Sequence, residues 1–259
     1  MDTLKKFQDR FLFSPQHAFK FGIEREFFLA DRSGTIVPRA QSVYEALYAQ
    51  WGDLFTYELS ACQIESRTEI VQAESLLEHL RECEEKLDDV LVSLGLQKLY
   101  IEVAPNDMSL AVYPDPSGRY AALKASMPKD VLLAACRVAG THVHIGMPDA
   151  ATALRVYNSV VKHCDRLSQL GDGSHGQRLM IYKKVAPQCQ PLPYKNWEHF
   201  HEVAQKEGFA NNLRNCWTLI RLTKHGTIEF RMFGVTQSLS RVVAWANTCR
   251  ELCVDAAYS

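Results

Sequence analysis

Three segments of the chain each place two ionisable side chains two residues apart: Glu24 with Glu26, His142 with His144, and Glu229 with Arg231. On a β-strand, residues at this spacing project from the same face, roughly 6.5–7 Å apart. Carboxylates, imidazoles and guanidinium groups are side chains that bind divalent cations and phosphate. Neighbouring carboxylates repel one another unless a cation or a proton lies between them. The combination therefore predicts a Mg²⁺ or Mn²⁺ site in a phosphate-binding cleft.

Each pair has an ordinary explanation when it is taken alone. A Glu-x-Glu pair usually lies on a solvated strand face, and a His-x-His pair often lies in the core or beside a turn. Their co-occurrence with a fourth acidic segment, residues 57–65, favours a shared cleft instead. That segment carries Glu58 and Glu65, whose odd spacing would send them to opposite faces of an unbroken strand. We therefore expect a turn or bulge near Ser60 and Ala61.

Regular strands and helices must position these side chains. Alternating apolar residues predict strands at 21–29, 97–104, 137–146, 215–222 and 226–233, with the last two joined in a hairpin across 223–226. Helical periodicity predicts helices at 41–50, 74–94, 119–135, 149–169, 196–207 and 238–256. Strands and helices do not alternate strictly, which favours an α+β fold with a largely antiparallel sheet. Because no linker-like segment interrupts the sequence, we expect one domain over residues 1–259.

Composition and charge narrow the classes of function. A chain of 259 residues with 47% hydrophobic content can bury a large core, which excludes a disordered or fibrous protein. The net charge of −1 supplies no general field for attracting nucleic acid or an anionic membrane. No apolar run approaches the ~20 residues of a membrane-spanning helix. The charges scattered over residues 1–10 do not fit a signal peptide, so we expect a cytoplasmic protein. The eight cysteines form no CxxC pair and are expected to be reduced core residues.

Other motifs give weaker signals. Residues 171–176 match the spacing GxGxxG but follow a helical pattern, so we interpret them as a loop and not as a dinucleotide-binding turn. Walker A, HExxH, GxSxG and kinase signatures are absent from the sequence. Four arginines are individually unremarkable, although a phosphate cleft would need some of them: Arg137, Arg178, Arg214 and Arg221. Strand alternation places Arg25 opposite its two acidic neighbours, where we expect a packing or ion-pair role.

Four motifs occur in an order that resembles the glutamate-cysteine ligase type 2 family, which includes bacterial carboxylate-amine ligases and is related to glutamine synthetase. They lie at residues 22–26, 58–65, 140–146 and 225–231, with supporting segments at 191–197 and 236–240. The resemblance extends over about residues 20–245, and four ordered motifs are more specific than any one of them. It implies a curved antiparallel sheet forming a funnel-shaped active site, with helices packed outside and ATP and two or three Mg²⁺ ions in its mouth.

The resemblance also implies a role for each candidate residue. Two sets of three residues would each hold a metal ion: Glu24, His142 and Glu229 at the nucleotide phosphates, and Glu26, Glu58 and Glu65 at the substrate carboxylate. Arg231 would neutralise the transferred phosphoryl group, with Arg221 as a weaker candidate for the same task. His144 would line the nucleotide site.

The implied activity is an ATP-dependent ligase that joins a small-molecule carboxylate, in particular the γ-carboxylate of glutamate, to an amine or amino acid through an acyl phosphate. Two other interpretations stay open: a metal-dependent phosphotransferase that releases its phosphorylated product, and a non-catalytic binding protein. The identity of the amine and the oligomeric state, a homo-oligomer included, stay open as well. On the ligase interpretation, Glu229→Gln should lower ATP turnover with little change in folding.

Overall fold

An antiparallel sheet organises residues 3–259, which are the part of the chain that the computed structural model describes. Its seven strands are β1 (Phe21–Asp31), β2 (Phe55–Tyr57), β3 (Gln63–Arg67), β4 (Leu96–Leu99), β5 (Thr141–Gly146), β6 (Ile220–Leu222) and β7 (Thr227–Phe233). They follow the order β2-β3-β1-β5-β7-β6, and β4 pairs with the last part of β1. Every pairing is antiparallel. The predicted α+β class with a largely antiparallel sheet is therefore confirmed.

Helices pack around this sheet. They are α1 (Thr3–Gln8), α2 (Ala40–Trp51), α3 (Leu76–Ser93), α4 (Arg119–Ser126), α5 (Lys129–Cys136), α6 (Ala150–Val160), α7 (Cys164–Gly171), α8 (Gln177–Val185), α9 (Trp197–Lys206) and α10 (Leu239–Tyr258). The predictions for α2, α3, α9 and α10 are confirmed to within two residues at each end. Among residues 3–259, no helix combines the length and the apolar character needed to cross a bilayer.

Two predicted helices are each divided in the structure. The segment 119–135 forms α4 and α5, because Pro128 lacks a backbone N–H and holds Met127 in an extended conformation (φ −86°, ψ 138°). The segment 149–169 forms α6 and α7, with a 3₁₀ turn at Val161–His163 between them. Helices α1 and α8 were not predicted.

Three predicted strands are too long at their N- or C-terminal ends. The regular strands cover only Leu96–Leu99, Thr141–Gly146 and Ile220–Leu222 of the predicted segments. The remaining residues lie outside regular strands and make isolated contacts, such as the bridge between Val103 and Val138 and the bond from Arg231 N to Leu219 O (2.8 Å), while Asn215 belongs to a 3₁₀ turn. The predicted hairpin is confirmed, since β6 pairs with β7 and Gly226 turns the chain with φ of 71°.

Apolar side chains cover one face of the sheet and the helices that pack on it. Phe27 and Leu29 of β1 pack with Leu87 and Leu91 of α3, whereas Ile23 belongs to a larger cluster built around α6 and α10. Burying each of these side chains contributes roughly 1.5–3 kcal/mol. All eight cysteines are buried free thiols, as the sequence predicted. The apolar clusters leave the opposite face of β1, β5 and β7 for polar side chains.

Candidate active site

A cavity of about 340 Å³ opens on the polar face of the sheet. Its lining includes all nine residues proposed from the sequence: Glu24, Glu26, Glu58, Glu65, His142, His144, Arg221, Glu229 and Arg231. These residues come from segments that are up to about 200 positions apart in the sequence. The structure therefore brings the four motifs together in one chamber.

Strand register explains how the side chains meet. On β1, Glu24 lies opposite His142 of β5, and Glu26 lies opposite Glu65 of β3. Further along the sheet, His144 lies opposite Glu229 of β7, which lies opposite Arg221 of β6. Directly opposed residues in antiparallel strands have Cβ atoms about 4.5–5.5 Å apart. Four neighbouring ladders thus produce a continuous row of ionisable groups.

One trio in this row has the composition of a cation site. Ligand atoms of Glu24, His142 and Glu229 lie within 4.8 Å of one another. His142 Nδ1 is 3.1 Å from Glu24 Oε2 and 3.9 Å from Glu229 Oε1, and His144 Nε2 approaches the same Glu24 oxygen to 3.4 Å. Two carboxylates with an imidazole suit a hard divalent cation such as Mg²⁺ or Mn²⁺.

A second trio lies beside the first and shares its histidine. Glu26, Glu65 and His142 also present ligand atoms within 4.8 Å of one another, and His142 Nε2 is 3.6 Å from Glu26 Oε1. Glu58 lies outside this trio but interacts with Glu65 through a side-chain hydrogen bond. Sequence reasoning grouped Glu58 with Glu26 and Glu65 and did not anticipate that one imidazole lies between the two clusters.

The turn that the sequence required between Glu58 and Glu65 is present. Strand β2 ends at Tyr57 and β3 begins at Gln63. Between them the backbone reverses, and Gln63 N donates to Ser60 O at 3.1 Å. The odd spacing of the two carboxylates is thereby overcome, and both reach the cavity.

Electrostatics differ between the two sides of His142. Burial raises the pKa of Glu26, Glu58 and Glu65, and the nearby carboxylates hold the pKa of Glu65 well above its usual range. Burial would also raise the pKa of Glu24, but His144 and His142 outweigh it and hold that pKa well below its usual range. Closely spaced buried carboxylates need a proton or a cation between them. The donor set around Glu65 therefore fits a divalent ion.

Two arginines neutralise the negative charge of Glu229, at the other end of the row of ionisable groups. Glu229 is fully buried and accepts bonds from Arg221 Nε at 2.5 Å and from Arg231. Burial alone would raise the pKa of Glu229, but the two guanidinium groups lower it, so the carboxylate is ionised. Arg231 Nε is buried and has no hydrogen-bond partner among residues 3–259. Both guanidinium groups line the cavity, so this end of it presents hydrogen-bond donors and positive charge to an anionic ligand.

Of two further arginines in the cavity, sequence reasoning missed Arg67 and named Arg178 only as one of four arginines from which a phosphate cleft would draw. Arg67 of β3 lies opposite Glu24, and its Nε is 3.7 Å from Glu65 Oε1. Arg178 of α8 is 5% exposed and lines the cavity wall. Arg67 follows Glu65 at the same two-residue spacing as the other pairs, and this was the signal that could have identified it. Arg178 had no comparable signal, because its helix lacks a regular apolar stripe.

The segment 171–176 is a loop, as the sequence predicted. Helix α7 ends at Gly171, and Asp172 accepts bonds from Ser174 N (3.0 Å) and Gly176 N (2.5 Å) before α8 begins. A strand does not precede this turn in the structure. Arg25 likewise behaves as expected, since it faces away from the cavity and forms an ion pair with Glu84 of α3.

Two solved structures share this fold over nearly the whole chain. A bifunctional glutathione synthetase from Pasteurella multocida matches with a TM-score of 0.66 and 13% identity, covering 99% of this chain and 40% of that one. A glutamine synthetase from Plasmodium falciparum matches with a TM-score of 0.55 and 13% identity, covering 99% of this chain and 55% of that one. Identities this low establish a common fold alone.

Curated relatives match at higher identity. The protein named "Putative glutamate--cysteine ligase 2" in Bradyrhizobium sp. strain BTAi1 is 25% identical over 253 residues, which cover 90% of this chain and 61% of the relative. The protein of the same name in Gloeobacter violaceus is 30% identical over 122 residues, covering 42% of this chain and 33% of the relative. The chain thus spans less than two thirds of the length of these relatives.

The family comparison covers the site and the elements that build it. Residues 20–259 match the model of glutamate-cysteine ligase family 2, and this range contains all seven strands of the sheet and every cavity residue described above. The order of the four motifs, their convergence on one cavity and this match agree. The chain therefore belongs to glutamate-cysteine ligase family 2.

Proposed function

We propose that the protein is an ATP- and Mg²⁺-dependent carboxylate-amine ligase. It joins a small-molecule carboxylate, the γ-carboxylate of glutamate, to an amine through an acyl phosphate, and residues 1–259 act as one catalytic domain. The observation that supports this most directly is the pair of carboxylate–imidazole trios that share His142 in one cavity. Membership of the ligase family supports the reaction class.

The chemistry explains why such a cavity is needed. A carboxylate is a poor electrophile at neutral pH, and phosphorylation converts one of its oxygens into a leaving group. Catalysis of phosphoryl transfer depends on positioning and on offsetting negative charge. Bound Mg²⁺ would supply positive charge at the phosphoryl oxygens.

The residues divide between two ends of the cavity. Glu24, His142 and Glu229 are proposed to hold the ion at the nucleotide phosphates, and Glu26, Glu58 and Glu65 the ion at the substrate carboxylate. The proposed task of Arg231, assisted by Arg221, is to donate hydrogen bonds to the transferred phosphoryl group. Both guanidinium groups already bind a carboxylate, Glu229, and a planar fork suits phosphate oxygens equally well.

We place the nucleoside end of ATP next to His144. A second cavity of about 180 Å³ adjoins the main one and shares Glu24 and His144 with it. Exposed Ile70 contributes apolar surface to this smaller space, whereas Phe21 and Ile23, which also border it, are buried in the apolar core. Ligand sites for organic molecules are mostly apolar with a few polar groups that fix orientation. His144 Nδ1 is held by Thr227 Oγ1 at 3.0 Å, which fixes the ring at the junction.

The proposal is tested by measuring ADP release with ATP, Mg²⁺ and glutamate against a panel of amino acids and simple amines. Products are identified by mass spectrometry. We expect ADP formation that requires both glutamate and one amine, together with an amide product. A stable phosphorylated product formed without any amine would instead indicate a phosphotransferase. If no substrate combination releases ADP while the protein is folded, the catalytic proposal is wrong.

A further inference from the structure

Arg178 occupies an unusual position for a buried charge. It is 5% exposed, and its guanidinium group donates to three backbone carbonyls: Ala139 O (2.7 Å), Met232 O (3.2 Å) and Arg231 O (3.1 Å). A guanidinium can serve three separated acceptors because its five N–H donors form a rigid fork. Arg178 thus connects α8 to the residues that precede β5 and to the last residues of β7.

These carbonyls flank an irregularity in the sheet. The register between β5 and β7 shifts between Thr141 and Val143: one residue of β5, His142, lies opposite two residues of β7, Arg231 and Met232, so the β-bulge is on β7. A bulge disrupts the regular ladder and changes the direction of side chains beside it. His142 is the residue that both cation trios share. The donors of Arg178 therefore bind the backbone on both strands around the bulge.

Gly140 links Arg178 to the second trio. Its backbone N–H donates to Glu26 Oε2 at 2.7 Å, and Glu26 N donates back to Gly140 O at 3.0 Å. A Cβ atom on Gly140 would overlap the guanidinium group of Arg178, so the close approach requires glycine here. The peptide that orients Glu26 is thus packed directly against Arg178.

The loop at 172–176 holds the other end of Arg178. Arg178 N donates to Ser174 Oγ at 3.0 Å, and Ser174 Oγ donates to Asp172 Oδ1 at 2.8 Å. Gly173 N donates to Glu102 Oε1 at 2.7 Å, which connects the loop to the segment after β4. The loop therefore fixes the start of α8, where Arg178 lies, a role that the sequence alone did not indicate.

We propose that Arg178 is a positioning residue for the cation site, acting through Gly140 on Glu26 and through the bulge on His142. This inference rests on the proposed function only in taking those side chains as cation ligands. Arg178 holds them from behind, with its donors on backbone carbonyls. Lysine carries its three donors on a single nitrogen and cannot reproduce the fork whose three nitrogens each bind a separate carbonyl, so Arg178→Lys removes the arrangement while keeping the charge.

The experiment compares Arg178→Lys with Lys183→Gln, which changes an exposed charge on the same helix. The probes are Mn²⁺ alone, titrated by electron paramagnetic resonance, and amide hydrogen exchange at Gly140, followed by NMR. Residues that orient metal ligands typically change metal affinity by about 10–100-fold. In Arg178→Lys we expect at least about tenfold weaker Mn²⁺ binding and faster exchange at Gly140. Lys183→Gln should resemble wild type in both.

The two readouts separate failure of this inference from failure of the proposed function. If wild type binds no Mn²⁺, the metal role in the proposed function is wrong, and exchange at Gly140 alone decides whether Arg178 holds that peptide. If wild type binds Mn²⁺ and Arg178→Lys leaves either readout unchanged, the positioning role is overturned. Should Arg178→Lys not fold, Ser174→Ala removes the hydrogen bond to the backbone N–H of Arg178 and so loosens the start of α8 more mildly. It must shift both readouts in the same direction, and unchanged values overturn the inference.

Discussion

Glu65→Gln distinguishes a cation site from an ordinary buried carboxylate. Glu65 is 5% exposed and lies in a trio with Glu26 and His142 whose ligand atoms are within 4.8 Å of one another. Glutamine keeps the volume and polarity of the side chain but removes its charge. Without a cation, the substitution removes repulsion and should stabilise the protein. With a cation, it removes an attractive ligand and should weaken binding.

The magnitude of the stabilisation follows from Coulomb's law. At 4.8 Å, the limit within which the ligand atoms of the trio lie, two unit charges repel by about 3.5 kcal/mol at an effective dielectric constant of about 20. Part of this repulsion is relieved in the folded protein, because burial and the adjacent carboxylates raise the pKa of Glu65 and favour its protonation. We therefore expect Glu65→Gln to increase the free energy of unfolding by about 1–3 kcal/mol at pH 8 in the presence of a chelator.

The pH dependence has a definite sign. Since the pKa of Glu65 is raised in the folded state, the folded protein binds more protons than the unfolded protein over the interval between the two pKa values. Wild type therefore loses stability as the pH rises through this interval. Glu65→Gln lacks this contribution, so its advantage over wild type should be small at pH 5 and larger at pH 8.

Urea unfolding at the two pH values, with EDTA or with Mn²⁺, measures both effects. Mn²⁺ at 100 times its Kd should stabilise wild type by about 2.7 kcal/mol. In Glu65→Gln we expect Mn²⁺ affinity to fall by at least about 30-fold, since removing one partner of a buried charge pair costs about 2 kcal/mol or more. The exposed residue Glu69 supplies the control, Glu69→Gln. A Glu65→Gln protein that is less stable than wild type in EDTA and binds Mn²⁺ equally well would refute the reasoning.

Three further substitutions test other parts of the site. Arg231→Lys keeps the charge but loses the planar fork, and we expect ATP turnover to fall by at least about 100-fold with unfolding unchanged within about 1 kcal/mol; equal turnover would contradict the phosphoryl role. Glu84→Gln leaves Arg25 buried without its ion pair and should lower the free energy of unfolding by about 3 kcal/mol, whereas exposed Glu85→Gln should not. Glu229→Gln, expected from the sequence to leave folding almost unchanged, should instead cost about 3 kcal/mol because two guanidinium groups lose their partner; urea unfolding in EDTA decides between the two expectations.

The sequence predicted those helices and strands whose own apolar periodicity identifies them. The amphipathic stripe of α3 and the alternation of β1 each follow from a period that one element imposes on its own residues. The break at Pro128 was also predictable from the sequence, because proline lacks the backbone N–H that continues a helix. The prediction of one helix over 119–135 did not take it into account and was wrong. Helix α8 could not be predicted in this way, since tertiary contacts through Arg178 and Tyr182 bury it without an apolar stripe.

The sequence predicted which residues form the candidate site but not how their side chains contact one another. Two-residue spacing shows that two side chains project from the same face of a strand. This was enough to identify His142 and the carboxylates of β1 and β7 as candidates. Which carboxylate meets which imidazole depends on strand register and on the bulge in β7 opposite His142, and both are set by long-range packing. For the same reason, the pairing of Glu229 with two arginines appeared only in the structure.

Charged residues lie on both faces of β1, and their partners distinguish their purposes. On the helix side, Arg25 and Lys98 are buried, but both bind Glu84, which also accepts a hydrogen bond from Tyr100. Lys98 also pairs with Asp88 at 2.8 Å, so two carboxylates balance the two cations and the network needs no ligand to be stable. On the cavity side, Glu26 and its neighbouring carboxylates are buried with raised pKa values and too little positive charge around them. Buried charges are tolerated only when they are paired or bind a cation. A structural role explains the first group completely, whereas the second group needs a proton or a cation between its carboxylates, and the cavity has room to admit a cation.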